Sequence, residues 1–349
     1  MPTRYYAFLF VALIVCGSML ACSDNPKQRA PAGTLQLHGA GATFPAPLYK
    51  KWLEEYHKQH SGVQVSYDAV GSGEGTKRFL AGAVDFGASD AAMSDEEIAA
   101  VTRGVQLLPA VAGSIVLAYN LEGLGGELKL TREVYADIFL GKIKTWDEPR
   151  LKATNPGLRF SHDTIARVVR QDSSGTTYAF TNHLSAISVQ WRDHGPGVGR
   201  VIAWPGNPMV APGNEGVAGR IKNSKGAIGY VEYGIAKRAG LAMAWLENKA
   251  GQFIQPHGDS GQATLLNVTL PENLRVFFPD PDGKDSYPIV TFSWLLLYKQ
   301  YDDQRKAAAL KQYVKWCLTE GQVFNESLGY VRLAPQVIAH TMAAVDRIQ

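Results

Sequence analysis

The sequence predicts an α/β protein built on doubly wound, parallel sheets. Alternating apolar segments that suit strands begin near residues 35, 63, 83 and 165, and each runs through a turn into a segment with helical periodicity. Strands that are joined through helices pair in parallel, with helices covering both faces of the sheet. A chain of 349 residues is long enough for two such domains.

Composition excludes several classes of function. The net charge is +3, and no basic run is interleaved with aromatic residues, so no nucleic-acid partner is expected. The eight histidines are scattered, and neither G-x-S-x-G nor H-E-x-x-H occurs. The acidic stretch from Asp280 to Asp285 lacks the spacing of a calcium loop and is expected to be a solvated turn. We therefore predict no catalytic residue, no metal site and no cofactor.

The N-terminal segment, residues 1–22, is typical of a secretion signal. Its apolar run of roughly 15 residues is short for a membrane span, which needs about 20. Ala21 followed by Cys22 resembles the end of a bacterial lipoprotein signal, although Met19 stands where leucine is usual. We expect Cys22 to be lipidated and to anchor the chain to a membrane of the cell envelope, facing the periplasm. Plain secretion with cleavage near Ala21 is the alternative.

Two further assignments follow from composition around the cysteines. Residues 23–34, rich in proline, alanine and charge, are expected to tether the anchor to the folded part. With Cys16 in the signal and Cys22 lipidated, Cys317 has no disulfide partner. Its apolar neighbours predict a core residue rather than a reactive thiol.

The first two strand-to-helix turns have features of anion sites. Residues 39–45 end a strand and begin a helix, which places Thr43 and Phe44 at a helix N-terminus. Residues 70–76 hold three glycines around Ser72, so the backbone can approach a ligand closely there. Neither turn matches the phosphate loop of nucleotide hydrolases or a complete dinucleotide-binding motif.

A carboxylate follows the third strand. Asp90 comes directly after residues 83–89, and Ser94 with Glu97 forms a predicted capping box for the next helix. Asp90 could be a plain turn residue or part of a site.

A fourth turn contains the densest set of anion-binding groups. Arg170 ends a strand, offers a planar fork for an oxyanion, and has Asp172 nearby to hold it. The helix that follows offers hydroxyls and unpaired N–H groups in its first turn, from Ser174, Gly175 and Thr176. The plainer interpretation is a capped helix that happens to follow an arginine.

The remaining segments predict how the chain is divided. Residues 107–119 suit a buried strand that leaves the first domain, and residues 287–298 suit a strand buried on both faces, followed by helices over 303–318 and 335–347. We expect this tail to return to the first domain. The first domain then comprises 35–119 with 288–349, and the second comprises 120–287, with 195–219 as a loop that the pattern does not place.

Four motifs in this order carry a resemblance to a known family: GAGATFPAP at 39–47, VDFGASD at 84–90, RQDSSGT at 170–176 and GAIGYVEY at 226–233. From about residue 35 to 347 the chain resembles the substrate-binding proteins of bacterial high-affinity phosphate ABC transporters. The resemblance implies a type II periplasmic-binding-protein fold, in which two α/β lobes joined by hinge strands close on one phosphate. It also implies a monomer whose partners are inorganic phosphate and inner-membrane permease subunits with their ATPase.

The resemblance assigns ligand contacts residue by residue. Asp172 matches the residue that partners the arginine. The phosphate contacts fall on Thr43, Phe44 through its N–H, Ser72, Asp90, Arg170, Ser174, Gly175 and Thr176. The turn after Ser72 departs from the family, with Glu74 between two glycines where the family often has Ser-Gly-Gly. Residues 195–214 differ too much for any assignment.

Asp90 is an unexpected residue beside an anion. Phosphate keeps a proton at neutral pH and can donate it to a carboxylate, whereas sulfate has none and would face a like charge. We hypothesise that Asp90 selects phosphate over sulfate by several kcal/mol through this repulsion. The alternatives are a secreted phosphohydrolase, a receptor for another oxyanion such as sulfate or molybdate, and an adhesin or signalling protein with the same fold.

Overall fold

The structure is a computed structural model that describes Met1, residues 33–266 and residues 268–349. The predicted signal, the lipidation site Cys22 and nearly all of the tether lie outside the described residues. All elements below belong to one compact unit, Thr34–Gln349. No helix in the described ranges has the length and apolar character needed to cross a bilayer.

Strands occur throughout this second unit. They are β1 Leu35–Gly41, β2 Val63–Ala69, β3 Phe86–Ser89, β4 Val105–Asn120, β5 Lys129–Leu130, β6 Ala166–Arg170, β7 Met209–Ala211, β8 Ala227–Glu232, β9 Ala242–Met243, β10 Trp245–Glu247, β11 Phe253–Ile254 and β12 Val290–Tyr298.

Helices separate most of these strands. They are α1 Ala46–Gln59, α2 Ser72–Leu80, α3 Asp95–Ala99, α4 Arg132–Phe139, α5 Pro149–Thr154, α6 Gly175–Ile187, α7 Val189–His194, α8 Gly213–Lys222, α9 Tyr233–Arg238, α10 Gly258–Leu265, α11 Gln304–Leu318, α12 Asn325–Leu328 and α13 Pro335–Asp346, with a 3₁₀ turn at Glu320–Phe324.

Nine of the described strands form one curled sheet in the order β2-β1-β3-β12-β4-β8-β6-β7, with β9 beside β4. The predicted α/β class is confirmed, and β1 pairs in parallel with β2 and β3, as β6 does with β7 and β8. Parallel pairing does not extend through the centre of the sheet. β12 is antiparallel to both β3 and β4, and β4 is antiparallel to β8, so β12 and β4 separate the two parallel groups.

The long strand β4 has a different antiparallel neighbour along each part of its length. Its first part, from Val105 to Ser114, pairs with β12, and its second part, from Ile115 to Asn120, pairs with β8. Every residue of β4 before Asn120 is buried, as is every residue of β12. The predicted long buried strands are therefore confirmed, and the tail strand β12 does return to pair with β3.

Local sequence signals set several helix starts as predicted. Ser94 and Glu97 form the capping box of α3, and the Thr131 hydroxyl accepts the N–H of Val134 at the start of α4. Cys317 lies fully buried in α11, as expected of a core residue. The acidic turn differs from its prediction, because Asp280 is not simply solvated: both its oxygens accept hydrogen bonds from Arg132 at 2.8 Å.

The loop that sequence patterns could not place is held by aromatic packing. The Trp191 indole donates to the carbonyl of Gly197 at 2.7 Å, and Trp204 stacks on Tyr230 of β8 with ring centroids 5.8 Å apart. The chain then forms the short strand β7 and the helix α8. This packing brings residues 199–214 next to the start of α6.

Candidate functional site

The residues predicted to bind an anion meet at one edge of the sheet. β1, β3 and β6 end there, and the helices α2 and α6 begin there. The carboxyl ends of parallel strands together with helix N-termini form the usual position of a ligand site in α/β folds. The local reason is the same in each case: a strand ends in a glycine- or serine-rich turn that starts a helix.

Arg170 is held in place by Asp172. The guanidinium donates from Nε to Asp172 Oδ1 at 2.8 Å, and Nη2 contacts Oδ2. The Arg170 side chain is only 1% exposed. Burial alone would raise the pKa of Asp172, but the Arg170 pair and the N–H of Gly213 hold this pKa below its ordinary value. Arg170 Nη1 donates to Thr176 Oγ1 at 3.2 Å, which directs the guanidinium into the site.

Asp90 lies on the other side of the site and is 1% exposed. Its Oδ2 accepts a hydrogen bond from Thr176 Oγ1 at 3.3 Å, and its Oδ1 accepts one from Ser293 at 2.8 Å. Burial raises the pKa of Asp90 from 3.8 to about 7, against the lowering effects of the Ser293 hydrogen bond and the Arg170 charge. Asp90 is therefore a carboxyl that can exchange a proton near neutral pH.

Gly175 lets the first turn of α6 approach the first turn of α2. A Cβ atom at Gly175 would lie 2.5 Å from Ser72 Oγ, 2.7 Å from Asp90 Cβ and 2.8 Å from a backbone nitrogen. The Ser72 hydroxyl accepts the N–H of Asp90 at 3.2 Å. The three predicted residues are thus in direct contact, and a side chain at position 175 would separate them.

Several hydrogen-bond donors at this site have no acceptor among the described residues. The hydroxyls of Thr43, Ser72 and Ser174 each accept hydrogen bonds, so their O–H groups remain for another acceptor. Ser174 caps α6 by accepting the N–H of Thr177 at 3.0 Å, so the plainer capping interpretation is also right. Within the described part of the chain, no hydrogen bond is formed by the N–H groups at the helix starts, namely those of Phe44, Gly175 and Thr176. Buried donors without acceptors are costly, which indicates a site built for an anion.

Comparisons with known proteins agree with this geometry. A profile described as "PBP superfamily domain" matches residues 27–320. The phosphate-binding protein PstS of Pasteurella multocida is 41% identical over 308 residues, covering 87% of this chain and 88% of that protein. The chain belongs to the PstS family of phosphate-binding proteins. The PstS protein of Haemophilus influenzae is 40% identical, with coverages of 86% and 90%, and that of Methanocaldococcus jannaschii is 34% identical, with coverages of 96% and 92%.

Solved structures support the PstS-family fold. A phosphate-bound periplasmic phosphate-binding protein, PfluDING, superposes with a TM-score of 0.74 at 22% identity, covering 88% of this chain and 93% of its own. A phosphate-binding protein from Stenotrophomonas maltophilia also gives 0.74 at 22% identity, with coverages of 89% and 94%. The fold class expected from the four motifs, the type II periplasmic-binding-protein fold, is therefore confirmed.

One residue at the site of this PstS-family chain was missed by sequence reasoning. Asn214, fully buried at the start of α8, donates from its backbone N–H and from Nδ2 to Thr43 Oγ1, both at 3.1 Å. Nδ2 also lies 3.1 Å from Thr176 Oγ1. The signal was a glycine-asparagine pair after a short apolar run, but the loop before it has no periodicity that would place it.

Two contacts join Ser173 and Arg200, which lie before α6 and after α7, to the other side of the site. The N–H of Gly73 donates to the carbonyl of Ser173 at 2.9 Å. Arg200 Nη2 contacts both carboxylate oxygens of Glu97 at 2.5 and 2.6 Å, while its carbonyl accepts the N–H of Ser174 at 2.8 Å. Glu97 was predicted only as a capping residue, and its bond to Arg200 was not anticipated.

The departure at Glu74 does not place a charge in the site. Its carboxylate accepts the Nε of Arg78 at 2.9 Å, one helical turn along α2, and is 42% exposed. Among the described residues, no group of three or more His, Cys, Asp or Glu side chains is arranged to hold a metal ion.

Proposed function

We propose that this chain binds inorganic phosphate outside the cytoplasm and delivers it to the permease of an ABC transporter. The observation that carries the proposal is a buried site, among the described residues, where several donors without acceptors surround the carboxyl of Asp90, while Asp172 is paired with Arg170. A singly protonated phosphate matches this set, because it accepts many hydrogen bonds and donates one. The names of the PstS relatives support the same ligand.

In this proposal the predicted donors each form hydrogen bonds with the phosphate oxygens. Arg170 supplies a full positive charge, held in position by Asp172. Hydroxyls and amides supply the remaining donors without adding charge, from Thr43, Phe44, Ser72, Ser174, Gly175 and Thr176. The phosphate proton is donated to Asp90, and a sulfate ion would instead meet a like charge.

We further propose that the sheet divides into two lobes, 35–119 with 288–349 and 120–287. Donors then come from both lobes, Thr43, Ser72 and Asp90 from one and residues 170–176 from the other. Ligand binding stabilises the closed arrangement by bridging them. The strands β4 and β12, which connect the two parallel groups, are the natural hinge.

The location and assembly proposals rest on the N-terminal sequence and the family. A lipid on Cys22 would hold the chain in the periplasmic cell envelope, tethered by residues 23–34. It would act as a monomer that the permease recognises in its closed state.

Calorimetry of the purified chain lacking residues 1–22 tests the proposal. We expect tight binding of phosphate and of arsenate, which also keeps a proton, and no measurable binding of sulfate or molybdate at pH 8. An Arg170→Gln variant should lose at least 100-fold in phosphate affinity, because a buried charge-assisted contact is removed. Absence of phosphate binding, or preference for sulfate, would contradict the proposal.

A secreted phosphohydrolase is the rival function, since the same donors would stabilise phosphoryl transfer. A chromogenic phosphate ester separates the two functions. We expect no turnover, because the relatives are named as phosphate-binding proteins.

A further inference from the structure

The strand β12 passes directly behind Asp90. Thr291 and Ser293 lie on the same face of this strand, since side chains alternate along it. Ser293 Oγ donates to Asp90 Oδ1 at 2.8 Å, and Thr291 Oγ1 lies 3.3 Å from the Asp90 carbonyl. Ser293 is 0% exposed. Because water has no access here, nothing else would replace the Ser293 hydroxyl if it were removed.

The Ser293 hydrogen bond distinguishes the two oxygens of the carboxylate. Oδ1 is occupied by a donor that has one hydrogen to give. Oδ2 faces Thr176, which in turn accepts from Arg170, so this oxygen points to the anion site. A hydroxyl that donates to a carboxylate also favours its ionised form.

An irregularity in the sheet occurs where Ser293 is placed. Ser293 pairs with Val111 but the next residue, Trp294, pairs with Pro109, so the register shifts between them. Proline lacks the N–H that a regular ladder would use. Bulges of this kind re-aim side chains, and they are frequent next to ligand sites.

We propose that Ser293 is a positioning residue that sets oxyanion specificity by keeping Asp90 an ionised acceptor with Oδ2 turned to the ligand. The inference rests on the proposed phosphate-binding function. Ser293 itself touches no ligand. Without its hydroxyl, Asp90 would hold a proton at higher pH and could donate to sulfate, which would remove the repulsion that excludes sulfate.

Other ionisable groups also act on Asp90. Arg170 favours its charged form and Asp172 opposes it, while the buried carboxyl of Glu232 interacts with it repulsively. Three buried tyrosines, whose own pKa values are raised by burial, are close enough to interact with the Asp90 charge: Tyr49, Tyr67 and Tyr330. A Ser293→Ala change leaves all of these groups in place, and it removes the contact of the Ser293 hydroxyl with Tyr49 as well as its hydrogen bond to Asp90.

The chain offers matched variants. Ser293→Ala removes the donor, and Ser293→Thr retains it. Tyr287→Phe removes a buried hydroxyl that has no hydrogen-bond partner among the described residues and whose raised pKa is caused by burial without Asp90 or Ser293. Thermal unfolding establishes that each variant is folded before binding is measured.

The experiment is calorimetric titration with phosphate and with sulfate from pH 5.5 to 8.5. For Ser293→Ala we expect the phosphate-over-sulfate preference at pH 7.5 to fall at least tenfold. The pH below which sulfate binds should rise by about one unit, because a lost hydrogen bond to a charged group is worth roughly a tenfold effect. Ser293→Thr and Tyr287→Phe should stay within about threefold of the unchanged protein.

Three results would overturn the inference. The first is an Ala variant that is folded and discriminates as well as the unchanged protein, with the same pH profile. The second is a Thr variant as impaired as the Ala variant, which would indicate a packing role. If the unchanged protein itself binds no phosphate, the proposed function fails and the role of Ser293 fails with it, so the two failures are distinguishable in one titration series.

Discussion

At the scale of single residues, burial of the Asp90 carboxyl in the binding site reduces the free energy of unfolding of the chain above the ordinary pKa of an aspartate. Its pKa is raised from 3.8 to about 7 by burial, and that of Glu232 from 4.5 to about 8 for the same reason. Each carboxyl binds its proton more tightly in the folded than in the unfolded chain. The free energy of unfolding of the ligand-free protein therefore falls as the pH rises from about 4 through the folded-state pKa values, and the change for Asp90 is on the order of 4 kcal/mol.

The Asp90→Asn variant tests this loss of stability together with the preference for phosphate over sulfate. Because asparagine cannot ionise, we expect the melting temperature of the ligand-free variant to exceed that of the unchanged protein at pH 8, and to match it near pH 4.5. The same variant should bind phosphate more weakly and lose most of its preference over sulfate. Differential scanning calorimetry and titration calorimetry measure the two effects.

Asp303→Asn is the matched control for stability. Asp303 is outside the site, and its pairing with Arg305 lowers its pKa to about 2. Its contribution to stability is present above its unfolded-state pKa and is lost as the pH falls toward 2. We expect this variant to gain no stability at pH 8. An Asp90→Asn variant that is no more stable than the unchanged protein at pH 8 would contradict the expected destabilisation by the buried Asp90 carboxylate.

Sequence reasoning reached the site residues whose partners are near in the chain. Asp172 was placed against Arg170 because two residues separate them, and the structure shows that pair. Ser293 was not anticipated, since its contact with Asp90 depends on the antiparallel register between β12 and β3, across 203 residues. No local pattern around Ser293 distinguishes it from any buried strand residue.

At the scale of elements, the strand-to-helix turns were predictable and the placement of α8 was not. Turns and helix caps depend on residues that are close together in the sequence, as at Ser94 and Ser174. The position of Asn214 depends instead on how Trp204 packs on Tyr230, a contact between segments with no shared periodicity. The antiparallel direction of β12 likewise depends on the path of the whole chain.

The approach of α6 to α2 makes a prediction about Gly175. A Gly175→Ala change places a methyl group 2.5 Å from Ser72 Oγ and 2.7 Å from Asp90 Cβ. Under the proposed division these neighbours belong to the opposite lobe. The variant should therefore fold with a melting temperature within a few degrees of normal and yet lose at least 100-fold in phosphate affinity, because its lobes cannot close fully.

Gly219→Ala provides the control, because Gly219 also lies in a helix and its added Cβ would have no atom within 4 Å. Alanine at that position should leave phosphate affinity unchanged and stabilise the helix slightly. A Gly175→Ala variant with normal phosphate affinity would contradict the proposed closure. A Gly175→Ala variant that fails to fold would instead indicate that Gly175, Ser72 and Asp90 belong to one rigid body and not to two lobes that separate.

At the scale of the whole molecule, Arg200 links the start of α6 to Glu97 on the other side of the site. The Arg200 carbonyl accepts the N–H of Ser174, and its side chain reaches Glu97, 103 residues earlier in the chain. The two side chains are only 19% and 25% exposed, so salt screens the pair less than a fully exposed one. Under the proposed closure of two lobes, this pair forms as the lobes close and breaks before phosphate leaves.

Glu97→Gln should therefore speed phosphate release more than it slows phosphate binding. We expect dissociation to be about three- to tenfold faster in stopped-flow measurements, with the association rate changed less than twofold, since one partly buried ion pair contributes on the order of 1 kcal/mol. Raising the salt concentration should accelerate release from the unchanged protein and affect the variant less. Arg305→Gln breaks a pair within the first turn of α11, Arg305 with Asp303, and should change neither rate. If Glu97→Gln released phosphate at the normal rate, closure would depend on the ligand and on other contacts between the proposed lobes, such as Gly73–Ser173 and Asn214–Thr43, and Arg200 would serve only to position Ser174.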